Sequence, residues 1–449
     1  MNRFLLVVLS LVVLSGFVAQ SDIRVREHAD PDKKHILLSV DNDHDYPIFE
    51  IQEKMENLGF EVDLTIEESA KSIEVKSGNE NGLVWDSQRL STSRLALEAP
   101  VRKFLLDSAN EVLISGKIYS VTFNSATSPV SADPRDYYST HAYWWPNPDT
   151  PDGLPYIKIE ETNPESRQDL NQLTGLYLDV WKCSIAYDVT GDERFAEHAV
   201  GLIRVFFLNP VTGMNPNMDH SKIIPGINET GTFEVATLSN RVRKLWDSIN
   251  ILRKSANWLV CDEVGMKVWT ESFLSWMEED PVARAEYRSL NNHSTAYHLI
   301  ASVFAKFTGD NEKALVYGRH YQKVMIPIQF EQDGRQTHEM SRSDNLFYHV
   351  YNLKTALDIL AVVDDLGLDF SSELLAPLDF LLPYISGTTE WPYWQSAPRP
   401  HNLKWEHDLL IEASTIFRRP ELYEVGNGRY PGAYHDKYSW PPENVTLPH

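Results

Sequence analysis

The sequence is short of cysteine, of positive charge and of long apolar runs. Only Cys183 and Cys261 occur in 449 residues. Two thiols build no disulfide framework and no zinc ligand set, although one bridge between them stays open. Lysine and arginine total 41 against 64 aspartates and glutamates, a formal net charge of -23. That balance argues against nucleic acid as a partner, because phosphate contacts need a basic surface. Any site for an anion must therefore be locally basic against a repelling background. Beyond the first 20 residues no segment is long and apolar enough to span a bilayer, so no membrane contact is expected of the mature chain.

Hydrophobic residues make up 42% of the chain, which is enough for a packed core. Residues 1–20 read as a secretory signal: Arg3 gives the positive start, Phe4 to Val18 the short apolar core, and Ala19, Gln20 and Ser21 the small and polar end. The mature protein is expected to be secreted, or periplasmic in a bacterial cell. Asn228, Asn292 and Asn444 each begin a glycan-acceptor triplet. The match at Asn292 is read as incidental.

Residues 21–94 form an N-terminal extension with a β-α-β flavour. His35 to Val40 and Phe60 to Ile66 have strand character, Ile48 to Leu58 has helical spacing, and Glu67 to Asn81 reads as a loop or linker. From residue 95 to the end the expectation is one all-α domain. Helical spacing marks Leu95 to Ile114, Trp246 to Val260, Lys267 to Met277, Tyr351 to Leu366, Ser372 to Ile385 and His407 to Phe417. Thr190-Gly191-Asp192 and Thr308-Gly309-Asp310 repeat one device, a glycine stop followed by an aspartate cap, each between two helices. Repeated antiparallel hairpins around a single core predict an α/α toroid, an incomplete barrel of helical hairpins.

Three polar stretches interrupt that pattern. Residues 121–167 carry prolines 146, 148, 151 and 155, which exclude a regular helix or central strand. They also carry Tyr143, Trp144 and Trp145, flat rings suited either to packing or to sugar faces. Residues 214–226 and 332–342 are further loops. The third stretch is Asn291-Asn292-His293, directly before an apolar run. Asparagine and histidine are poor inside a helix and good at its start. The plain reading is a polar cap; the functional one is a helix start facing an anion.

Taken in order, these segments resemble the alginate lyase superfamily domain of α/α-toroid polysaccharide lyases. The carriers are Asp133-Pro-Arg-Asp-Tyr-Tyr-Ser139, Tyr143-Trp-Trp-Pro-Asn-Pro148, Pro151-Asp-Gly-Leu-Pro-Tyr156 and Asn163-Pro-Glu165. The series continues with Met214-Asn-Pro-Asn217, Asn291-Asn-His293 and Asp333-Gly-Arg-Gln336, and closes on Glu339, Arg342, Tyr348 and Asn352. Lys222 stands where many relatives carry glutamine, and Thr337 where they carry proline.

The resemblance implies β-elimination on an acidic polysaccharide, with no metal and no cofactor. It implies that Asn292 holds the uronate carboxylate and that His293 is a neutral base or a charge neutraliser. Tyr348 would be acid to the leaving oxygen, or also base for one epimer, with Arg342 as its supporting cation. Tyr143, Trp144, Trp145, Lys222, Asn291 and His349 are the expected substrate contacts. Two rivals follow from the residues: a non-catalytic glycan-binding protein on the same fold, and a glycoside hydrolase drawing a carboxylate pair from Glu331, Asp333, Glu339 and Asp344.

Overall fold

The computed structural model describes residues 23–27, 35–41, 61–67, 70–76, 99–123, 131, 133–159, 161, 163–228, 230–395 and 403–429. Its helices are α1 (Ala99–Ser115), α2 (Gln168–Thr190), α3 (Glu193–Ile203), α4 (Val235–Leu252), α5 (Val260–Glu279), α6 (Pro281–Tyr287), α7 (Asn292–Thr308) and α8 (Asn311–His320). They continue as α9 (Ile326–Gln329), α10 (Thr337–Met340), α11 (Asn345–Val363), α12 (Ser371–Ile385), α13 (Leu403–Ile416) and α14 (Pro420–Arg429).

Four of them form an inner layer and run the same way. Arg241 of α4 donates to Thr174 Oγ1 of α2 near the start of both helices, and Lys254, just past the end of α4, meets Asp188 in the last turn of α2. Tyr351 in the early turns of α11 donates to the Ala236 carbonyl in the first turn of α4. Lys306, near the end of α7, donates to the Val362 carbonyl near the end of α11. So α2, α4, α7 and α11 bring their N-termini to one end. Outer helices pack against them: α1 and α3 on α2, α5 and α8 on α7, α12 on α11. This is the expected all-α toroid architecture, and its helix dipoles place partial positive charge at the shared end.

Helix α7 is buried along almost its whole length, hemmed in by α4, α5, α8 and α11, and its buried polar side chains include Asn292, His298 and Lys306. Both glycine–aspartate devices work as read. Gly191 and Gly309 end their helices at φ 69° and 97°, and Asp192 and Asp310 cap the next ones.

Other expectations are corrected. The helix expected over 246–260 begins at Val235 and stops at Leu252, and Val260 opens α5. Asp262 accepts the Leu259 N–H and starts that new helix, a break that apolar spacing hides. Part of the supposed linker is a strand. Strands β1 (Ile23–Glu27), β2 (His35–Asp41), β3 (Glu61–Glu67) and β4 (Ala70–Lys76) form an antiparallel sheet in the order β1-β2-β4-β3. The expected helix at 48–58 and the signal segment lie outside the described residues. Cys183 and Cys261 are both buried and free.

The proline-rich segment is held by small sheets. Strand β5 (Tyr138–Thr140) pairs in parallel with β8 (His220–Ile223), while β6 (Trp144–Trp145) pairs with β7 (Ile157–Lys158). The prolines at 146–155 fall between β6 and β7, where they disturb no ladder.

Candidate active site

Asn291 begins the site because it begins α7. Its backbone is extended, and its Oδ1 accepts the His293 N–H at 3.1 Å. Asn292 follows and is fully buried. Its backbone N–H donates to Glu339 Oε1 at 2.7 Å, and its Nδ2 reaches both oxygens of the same carboxylate at 2.8 and 2.9 Å. Burial raises the Glu339 carboxyl above its ordinary range, while the Asn292 bonds and the charges of Arg342 and His293 oppose that rise. Asn292 Oδ1 has no hydrogen-bond partner among the described residues. A direct hold of Asn292 Nδ2 on a uronate therefore requires its pair with Glu339 to open. The burial of Asn292 also excludes a glycan there.

His293 faces the open side, with 26% of its side chain exposed. Its Nδ1 lies 2.5 Å from Oε2 of Glu286 on α6. Its Nε2 meets no hydrogen-bonding group among the described residues. Arg342 extends the α10 turn through its N–H to the Glu339 carbonyl at 3.0 Å. Its guanidinium does not pair with Glu339; it lies over the half-buried ring of Tyr348, 3.9 Å from the centroid. Asn291, Asn292, His293, Arg342 and Tyr348 thus gather around Glu339 at the N-terminal ends of α7 and α11.

His349 takes a different place. It is fully buried, its Nδ1 donating to the Asn345 carbonyl at 2.8 Å and its Nε2 accepting the Gln336 N–H at 3.3 Å. Burial lowers it to about 4, so it is neutral. Both ring nitrogens are used inside the protein and none is left for a sugar; His349 positions Gln336. Gln336 and Gln329 accept from the buried Asn352 at 3.0 and 3.2 Å, and Gln329 donates to the Asn291 carbonyl at 2.9 Å. A buried amide layer therefore supports the helix start from behind.

The remaining expected contacts gather around β5 to β8. Tyr143 is exposed, while Trp144, Trp145 and Lys222 are half-buried. Trp145 Nε1 is fixed on the Glu161 carbonyl at 2.9 Å, and Asn163 Nδ2 on the Trp144 carbonyl at 3.0 Å. Lys222 has φ 52°, unusual for a side-chain-bearing residue, and its N–H is held by Ser139 Oγ at 2.9 Å. Burial lowers His141, and the neighbouring charges of Lys222, Arg167 and Lys158 lower it further. Cations therefore collect here despite the acidic chain.

Glu286 and the roles of Glu339 and Arg167 escaped the sequence reading. Glu286 stands seven residues before His293 on another helix, with no motif around it. The hydrolase rival finds little support: Glu331 and Asp333 both bind Arg335, at 3.0 and 2.7 Å, and Glu339 is turned inward onto Asn292.

The alginate lyase family profile matches residues 120–391. Among solved structures, an alginate lyase from Bacteroides ovatus is similar at 29% identity and a TM-score of 0.69, over 80% of this chain and 96% of that one. Alginate lyase A1-III from Sphingomonas species A1 aligns at 12% identity and a TM-score of 0.49, over 76% of this chain and 89% of that one. No curated protein matches the chain. The profile spans more than half of the sequence and contains every residue of the helix-end cluster, so the chain belongs to the alginate lyase family and is a polysaccharide lyase.

Proposed function

We infer that the protein is a secreted lyase that cleaves a uronate polymer, alginate or a glucuronan-like chain, by β-elimination. The observation that carries this reading is the gathering of His293, Arg342 and Tyr348 at the end of the toroid where inner-helix N-termini meet. Elimination needs a base for the C5 proton, an acid for the departing oxygen and positive charge near the carboxylate. His293 is the base and takes the C5 proton. The C5–H electron pair becomes the C4=C5 double bond, the C4–O bond breaks, and the Tyr348 hydroxyl protonates the leaving oxygen. Arg342 supports the negative charge that grows on the phenol. Asn292 with Glu339 sets the helix start on which His293 sits. Lys222, with Tyr143, Trp144 and Trp145, binds the acidic chain, and Asn291 borders the reacting sugar. The substrate is thus an acidic polysaccharide, and the N-terminal 20 residues fit export to meet it.

The test is ultraviolet absorbance of the unsaturated uronate, with the mature chain on polymannuronate, polyguluronate and glucuronan in parallel. A rise on one polymer that is lost in Tyr348→Phe and in His293→Ala is expected. Binding of all three polymers without any rise would replace this reading with the glycan-binding one.

A further inference from the structure

A neutral imidazole carries one proton, and the hydrogen bond made by one nitrogen decides what the other can do. At His293 that bond goes to Glu286 Oε2, 2.5 Å from Nδ1. An ionised carboxylate only accepts, so the proton belongs on Nδ1 and the lone pair on Nε2. Two further hydrogen bonds hold the arrangement in place. Asp280 caps α6 by accepting the Val282 N–H at 2.7 Å, and Ser294 Oγ of α7 donates to the Tyr287 carbonyl at 3.1 Å, which ties α6 to α7 beside Glu286. Glu286 is mostly buried, with 11% of its side chain exposed, whereas the His293 ring keeps 26%. The bonded nitrogen thus faces inward and the other faces out.

We propose that Glu286 is a positioning residue for His293, fixing the Nδ1–H form so that Nε2 receives the C5 proton. This rests on His293 being the base in the reading above. When Nε2 takes the proton, the ring becomes an imidazolium that still donates from Nδ1 to Glu286. The carboxylate therefore also stabilises the charge created in that step. His293 then loses the proton to solvent, and the Tyr348 phenolate regains one. Glu339, a second carboxylate near His293, is engaged with both Asn292 donors. Glu286 is thus the acceptor in contact with the ring.

The experiment compares wild type with Glu286→Gln, Glu286→Asp and His293→Ala in the full chain, by pH–rate profile and by 15N NMR of labelled histidine. In Glu286→Gln, kcat falls by about 10-fold or more with KM little changed. The acid limb of kcat/KM moves to lower pH, because the imidazolium has lost its anionic partner. Wild type above the limb shows His293 as the Nδ1–H form, and Glu286→Gln shows a mixture or the Nε2–H form. Glu286→Asp keeps the charge and restores the limb. An unchanged limb and tautomer in Glu286→Gln would overturn the proposal, as would an Nε2–H form in wild type, which needs no variant to fold. Full activity in His293→Ala would instead remove the reading beneath it.

Discussion

The guanidinium of Arg342 lies over the ring of Tyr348, 3.9 Å from its centroid, and forms no ion pair among the described residues. A cation held on a phenol face stabilises the negative charge that appears when the hydroxyl gives up its proton. Removing the hydroxyl with Tyr348→Phe should lower kcat by roughly 10²–10⁴-fold. Arg342→Ala should fall between that variant and wild type, and Arg342→Lys should recover only part, because an ammonium does not stack as a guanidinium does. Initial rates of unsaturated-product formation decide the order; an Arg342→Ala enzyme as fast as wild type would separate the two residues.

Glu339 answers three bonds from Asn292 in the interior. Glu339→Ala would strand those donors away from water, at a cost of about 1–3 kcal/mol. Glu339→Gln keeps an oxygen for them and should cost less. Urea unfolding midpoints measure the difference; equal midpoints for wild type and Glu339→Ala would show that the pair contributes nothing to the folded state.

His349 gives a pH signature. Burial holds it near 4 in the folded protein, against an ordinary value of 6.5. Above 6.5 it is neutral in both folded and unfolded chains. Between 6.5 and 4 only the unfolded chain takes the proton, so stability is lost as pH falls through that window, by roughly 3 kcal/mol in total. Buried Asp169 and Asp247, raised to about 8 and 7, act in the opposite direction. The readout is therefore a difference: Tm of His349→Gln should fall less than wild type between pH 7 and 4.5. Parallel curves would refute the assignment.

Lys222 makes no ion pair among the described residues and belongs to the cationic group around His141. Lys222→Ala should raise KM for the polymer several-fold with little change in kcat, and the gap should narrow in high salt, where exposed charges are screened. A fall in kcat at unchanged KM would place Lys222 with the reacting groups.

The helix start at Asn291 to His293 was legible because those residue types serve a helix end and little else locally. The two Thr-Gly-Asp stops were legible for the same reason: glycine alone takes a positive φ without strain. Tyr348 and Asn352, four residues apart in sequence, share one face of α11, but spacing does not set their depths. Tyr348 remains half-buried, while Asn352 sits wholly within the amide layer of Gln329 and Gln336. The break after Leu252 was missed because apolar residues continue through it and its capping bond is local to Leu259 and Asp262.

By itself the sequence determined the helical class, the family and the short motif that opens α7, since each rests on contacts between near neighbours or on residue order. The tertiary structure alone decided which carboxylate meets which side chain. Glu339 reaches Asn292 across 47 residues, Lys306 finds the α11 carbonyl of Val362 across 56, and Glu286 approaches His293 from another helix. Such pairs depend on how rigid helices dock. Docking is fixed by the sum of many weak apolar contacts, so no local pattern records it.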